Sequence, residues 1–353
     1  MSRLLAQPAG GATYAAAGVS IEAGDEAVER IKAHVASTAR PEVLGGIGGF
    51  GGLFALDTKG YRNPVLVSSA DGVGTKLEVA RLLNRYDTVG IDLVAMLVDD
   101  LACLGAEPLF MLDYVAVGAL DPARLEELVR GIAEGCRLAN TALLGGETAE
   151  HGGVMRPDDL DVAGFVVGVV ERGEELGPER VREGDVLIGF GSPGLRSNGY
   201  TLARSVLVGP DTDLRAPAWE GADVSLADEL LRPCVIYTPA VTALTKNLGH
   251  AVHAAAHITG GGIVGNVVRV LPDDLDAHID MDSFETPEIF FEIQRRGQVS
   301  PEEMVRVFNC GLGMVIAVDP DAAEAVLSLA HNAGIVATIV GDVRRGNQKV
   351  VLA

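Results

Sequence analysis

Two globular domains, each mixing helices with strands, are what this sequence predicts, and three observations lead there. The chain has 353 residues, 48% of them hydrophobic, enough for two cores of ordinary size. A polar stretch, ERGEELGPERVREGD, interrupts the apolar pattern near residue 172 and gives way to a new strand at Val186 to Phe190. On both sides of that boundary, runs with helical spacing alternate with short β-branched runs of strand length. The expected units are a small, Gly/Ala-rich flexible leader over residues 1–20, a first domain over 21–172 and a second over 173–353.

The charge balance narrows the function classes. With 28 basic and 49 acidic residues the formal charge is −21, which repels nucleic acid and anionic membranes. A phosphorylated ligand must then be small and held by loop amides, a cation or a few basic side chains. The four cysteines are scattered without metal or pairing spacing, which suits buried thiols in a reducing compartment. No stretch has the make-up of an export signal or a membrane span, so the expected location is cytoplasmic.

In chain order, Val28, Ile31 and Val35 share one face of a helix that starts near Asp25, and Lys32 lies off that stripe. Next comes LGGIGGFGGLFAL, where Gly45, Gly46, Gly48, Gly49, Gly51 and Gly52 surround Ile47 and Phe50. Flexible linkers favour Ser over Leu, Ile and Phe, so this segment is expected to fold over a ligand before a strand at Leu53 to Leu56. The run PVLVSSADGVGTK then predicts a buried strand at Val65 to Ser69, with Asp71 at its end. Gly72 and Gly74 would let the backbone approach a ligand, and Thr75 and Lys76 open a helix with a mobile positive charge. The order is not that of a Walker loop.

A helix over Asp87 to Leu104 carries Asp99 and Asp100, which must face either solvent or a cation. Strands at Leu109 to Val117 and Val162 to Val170 bracket a helix from Pro122 to about Asn140 and a turn, LLGGETAEHGG, that presents Glu147. Asp71, Asp100 and Glu147, each expected at the end of a regular element, suggest a divalent-metal cluster. In the second half, Arg196, Ser197 and Asn198 precede a helix, either as N-caps or as partners of an anion. His257, Thr259, Gly260 and Gly261 form a second phosphate-binding layout, in which a structural histidine is the plain alternative. A strand in FNCGLGMVIAV, a helix from Pro320 to Asn332 and strands at Ile335 to Val340 and Val350 to Leu352 close the chain.

The series DGVGTK, LVDDLACLGAEPLFMLDY, GIAEGC, LGGETAE, DVAGFVVGVVE, SNGYTLAR, HITGGGIVGN and FNCGLGM spans nearly the whole chain. It closely resembles the phosphoribosylformylglycinamidine cyclo-ligase family, also called aminoimidazole ribonucleotide synthetase. The resemblance implies an α+β fold of two domains, each a mixed or antiparallel sheet covered by helices, in a homodimer whose N-terminal sheets pair. It further implies that formylglycinamidine ribonucleotide and ATP, with Mg²⁺, give aminoimidazole ribonucleotide, ADP and phosphate through an iminophosphate. That chemistry needs positioning and charge neutralisation more than a protein nucleophile.

Carried over by motif, Asp71, Asp100 and Glu147 would organise the metal and polyphosphate, with Gly72, Gly74 and Thr75 beside them. Lys32 and Lys76 would offset phosphoryl charge, and Gly45 to Gly52 would wrap the nucleotide. Arg196, Ser197, Asn198, His257, Thr259, Gly260 and Gly261 would contact the substrate. Two positions depart from the pattern: Asp99 stands where Asn is common and Arg196 where His is common. The first adds negative charge beside the expected metal, and the second removes a proton shuttle while keeping a phosphate partner. Related ATP sites occur in selenophosphate synthetase, thiamine-monophosphate kinase and the hydrogenase-maturation dehydratase. Selenophosphate synthesis wants a reactive Cys near the glycine segment, and the first Cys here is Cys103.

Overall fold

Helix α3 (Asp87–Ala102) is apolar on nearly every face, and the fold is arranged around it. It packs on α4 (Pro122–Leu138) and on the first sheet, and its far side meets the second domain at α7 (Thr238–Leu248) and β8 (Val252–His257). A computed structural model describes residues 13–14 and 17–353, so most of the expected leader lies outside the described residues.

The first half opens with α1 (Ile21–Ala36), capped by the Ser20 side chain, and a two-stranded ribbon of β1 (Val43–Leu44) and β2 (Leu53–Phe54). Four strands follow: β3 (Pro64–Gly72), β4 (Glu107–Val117), β5 (Ala142–Glu150) and β6 (Leu160–Glu171), in the order β3-β6-β4-β5. β6 is antiparallel to β3 and β4, whereas β4 and β5 run parallel, joined through α4. α4 begins with Asp121 as N-cap and Pro122 in its first turn. α2 (Lys76–Leu83) links β3 to α3.

The second half builds a six-stranded mixed sheet in the order β12-β9-β11-β7-β10-β8. Its further strands are β7 (Val186–Gly191), β9 (Leu275–Ile279), β10 (Leu312–Val318), β11 (Ala337–Arg345) and β12 (Val350–Leu352). Only β12 and β9 pair in parallel among these neighbours. Its helices are α5 (Tyr200–Leu207), α6 (Leu226–Leu230), α7, α8 (Gly262–Val267), α9 (Glu288–Gly297), α10 (Pro301–Val307) and α11 (Ala323–Asn332). The expected α+β architecture with two sheets is therefore the observed one.

Three local expectations change. β3 lies at a sheet edge and is only half buried, with Leu66 exposed. The segment read as a turn around Glu147 is strand β5, because Gly145 and Gly146 sit inside it. A Cβ at 146 would come 1.6 Å from Asp113 Oδ1, so glycine there is what lets β5 pair with β4. Helix α5 starts after Gly199, which has φ 80° and no capping side chain, so Ser197 and Asn198 are not its caps.

Candidate active site

β3 alternates its side chains between the two sheet faces, and Ser69 and Asp71 share the face turned toward α3. Ser69 Oγ donates to Asp100 Oδ2 at 3.3 Å. His257, at the end of β8, places Nδ1 at 2.9 Å from Asp100 Oδ1. The carboxyl of Asp71 is raised above its ordinary value, first by burial and then by the nearby Asp100 charge, against a backbone hydrogen bond from Gly72. Two carboxylates thus lie close enough to interact where the two domains join, with His257 only partly offsetting the charge on Asp71.

The following loop turns sharply at Gly74, whose φ of 70° is left-handed. Thr75 Oγ1 lies 3.0 Å from Thr201 Oγ1, which ties this loop to the second domain.

Lys76 is not the mobile charge that the sequence suggests. It is fully buried, 2.5 Å from Asp92 Oδ2, and donates to the carbonyls of Arg232 at 2.7 Å and Arg196 at 3.3 Å. Its ammonium also lies over the Tyr200 ring at 5.5 Å. Asp92, one helical face of α3 away from Asp100, holds the Cys234 amide through its other oxygen. The sequence reading missed Asp92, whose only signal is a lone acid among the apolar residues between the start of α3 and its Asp99–Asp100 pair.

The acidic pair splits between two tasks. Asp99 faces neither solvent nor a cation site: it is buried, and its Oδ1 accepts from the Tyr237 and Thr238 amides and the Thr238 hydroxyl at 2.8–2.9 Å. It therefore caps α7, which has no capping side chain of its own. Its Oδ2 pairs with Arg196 at 3.0 Å. Arg196 is buried as well, donating to Val235 O at 2.8 Å and reaching His257 Nε2 at 2.8 Å, so its guanidinium is not offered to a substrate phosphate. The two departures from the resemblance are thus partners.

Glu147 does not join Asp71 and Asp100 within this chain. It lies in register with Tyr114, on the face opposite to Asp71, and β5 and β3 are the two edges of the sheet, about 14 Å apart. Among the described residues no place gathers three His, Cys, Asp or Glu side chains around a common point. The donor set at Asp71 and Asp100 still suits magnesium carried on a polyphosphate, which takes one or two carboxylates and fills its remaining positions with water and phosphate oxygens.

Glu147 instead lines a cavity of about 670 Å³ roofed by Gly46 to Gly52 and walled by α1 and Leu112 to Tyr114. The glycine segment does fold over a space. Asp113, also in that wall, was missed by sequence; burial pushes its carboxyl up to about 7. Lys32 stays on the exposed side of α1, paired with Glu29 one turn away.

The remaining candidates collect near His257. Asn198 has a buried Oδ1 without a hydrogen-bond partner, and its Nδ2 is 3.7 Å from where a Cβ at Gly260 would sit. Thr259 Oγ1 is 3.3 Å from Asn266 Oδ1, and the Asn266 amide braces the carbonyls of Thr259, Gly260 and Gly262, leaving Gly260 and Gly261 exposed. Ser197 is buried, 3.7 Å from Cys234 Sγ, and faces the interior.

Residues 57–170 match the family AIR synthase related protein, N-terminal domain, and residues 182–353 match its C-terminal domain. Curated relatives named phosphoribosylformylglycinamidine cyclo-ligase include those of Anaeromyxobacter sp., 52% identical over 95% of this chain and 96% of its own length, and Bifidobacterium animalis subsp. lactis, 49% identical over 96% and 99%. Among solved structures, a thiamine-monophosphate kinase from Stenotrophomonas maltophilia superposes with a TM-score of 0.68 at 21% identity, covering 93% of this chain and 95% of that one. A hydrogenase maturation protein HypE in complex with ATP gives 0.64 at 16%, covering 92% and 90%. These two show a shared fold.

Proposed function

The chain belongs to the phosphoribosylformylglycinamidine cyclo-ligase family, and we propose how its own residues carry that reaction. The enzyme closes the imidazole ring of aminoimidazole ribonucleotide from formylglycinamidine ribonucleotide at the expense of ATP, within purine biosynthesis. The Asp100–His257 pair, with the Asp71 carboxyl near enough to feel the Asp100 charge, beside the loops of residues 72–75, 198 and 259–261, carries the assignment of the site.

When bound, magnesium and ATP supply a phosphoryl group whose charge is partly neutralised. Asp71 and Asp100 would hold the cation and align the polyphosphate, and the proximity of two carboxylates that raises the Asp71 carboxyl is the electrostatic reason to expect one there. The exposed backbone at Gly74 would approach the phosphates, and the exposed turn at Gly260 and Gly261 with the Asn198 amide would receive the ribonucleotide. Ring closure then requires that the amidine nitrogen be held against the activated formamide carbon, a positioning task. Lys32 can leave Glu29 cheaply, since an exposed pair is worth only ~0.2–1 kcal/mol, and swing over a nucleotide under the glycine segment.

Glu147 can enter an Asp71–Asp100 site only from a second subunit. A homodimer in which the N-terminal sheets pair fits the outward face of the first sheet, where Leu66, Phe165, Leu112 and Tyr114 are exposed side by side across β3, β6 and β4. Among the described residues no helix is long and apolar enough to cross a membrane.

Measuring ADP release with and without formylglycinamidine ribonucleotide tests the function. Release that depends on the ribonucleotide and on Mg²⁺ is expected; release indifferent to the ribonucleotide would overturn it.

A further inference from the structure

A guanidinium has five N–H donors and no lone pair. Arg196 Nη2 lies 2.8 Å from His257 Nε2, so that ring nitrogen must be the acceptor and cannot carry a proton. The proton of the neutral ring then sits on Nδ1 and is donated to Asp100 Oδ1 at 2.9 Å. We propose that Arg196 is a positioning residue that fixes the Nδ1–H tautomer of His257 and, through it, the orientation of the Asp100 carboxylate. This rests on the reading of Asp100 as a cation-facing group.

The arginine is itself over-determined. Asp99 Oδ2 and the Val235 carbonyl accept from its two terminal nitrogens, and the Tyr237 ring lies 4.8 Å from the guanidinium carbon. Its carbonyl accepts from Lys76, and its backbone is held at φ 62°, unusual for a side chain of this size. The groups facing its guanidinium are Asp99, Tyr237, His257 and the buried Cys234, and the Lys76 ammonium beside its carbonyl is itself paired with Asp92. Asp100 is in turn gripped on both oxygens, by His257 and by Ser69.

A continuous chain, Asp99 to Arg196 to His257 to Asp100, therefore runs from the cap of α7 to the catalytic junction and back to α3. Its first and last members are adjacent on α3, so the chain closes a loop between that helix and the second domain. His257 in this chain orients Asp100 and leaves no free lone pair for general-base work.

The test is a long-range proton–nitrogen spectrum of the full chain labelled at its histidine rings, with His257 assigned through H257Q. The wild type should show a protonated Nδ1 and a bare Nε2. R196M, which has no N–H to offer Nε2, should lose that pattern and at least tenfold in kcat, with little change in the KM for ATP. D99N/R196H, which replaces the charged pair with two neutral hydrogen-bonding groups, should recover the Nδ1–H tautomer and most of the turnover, whereas R196H alone should not.

A wild-type ring protonated at Nε2, or a tautomer unchanged in R196M, overturns the proposal. The wild-type spectrum decides even if R196M does not fold. If D100N keeps full turnover while the tautomer still depends on Arg196, the cation-facing reading of Asp100 fails and the tautomer lock stands.

Discussion

Lys76 and Asp100 show how burial separates a supporting charge from a reacting one. Removing the ammonium in Lys76→Ala leaves Asp92 charged and alone in the interior, a loss of about 3–5 kcal/mol that a urea midpoint would register. Wild-type stability in that variant would remove the ion pair from the fold. Asp100→Asn keeps the hydrogen bonds to Ser69 and His257 geometrically possible but removes the cation-facing charge. Turnover at saturating Mg²⁺ should fall by about tenfold or more, and unchanged kinetics would take Asp100 out of the site. Asp113 has a different signature. Its carboxyl keeps its proton to about pH 7 in the folded chain, whereas the unfolded chain releases it near 4. The folded state thus binds the extra proton, and stability should decline as pH rises between those values. Asp113→Asn should flatten that stretch of the pH–stability curve; an unaltered slope would assign it to other groups.

At the level of strands and helices, β5 owes its course to a missing side chain. Gly146→Ala drives a methyl into Asp113, so about 1–3 kcal/mol of overpacking is expected, eased in the double variant that also carries Asp113→Ala. Additive thermal shifts in that double variant would mean the two positions do not touch. Most of the regular elements were legible from spacing alone, including α1, α3, β3, β4, α4, β6, β7 and β10. Glycines hid β5, because a Gly-Gly pair reads as a turn unless the neighbour that fills its space is known. The segments of α7, β9, α9 and α10 are left unassigned by the sequence analysis, although α9 has a clear apolar face in Ile289, Phe290 and Ile293; α7 draws its N-terminal cap from Asp99, 138 residues earlier in the chain, which no local pattern can reveal.

Across the assembled protein, the position of Glu147 makes the subunit count a mechanistic matter. If Glu147 serves a neighbour's Asp71–Asp100 pair, D100N and E147Q chains coexpressed in equal amounts will form mixed dimers that each keep one intact site. Activity should then return to about a quarter of wild type, although each variant alone is weak. No recovery in verified mixed dimers would take Glu147 out of the Asp71–Asp100 site.

The linear order of residues already determined the family motifs, the two-domain plan, and the placing of Asp71, the glycine turn and His257 at the ends of strands. Those features depend on side-chain period and turn chemistry, which act over a few residues. Only the folded chain decided which charges remain available: Lys76 with Asp92 and Arg196 with Asp99 are consumed as buried pairs, the latter across 97 residues. It also put Glu147 on the far face of the sheet. A charge in the interior must find a partner, and packing between distant segments chooses which one.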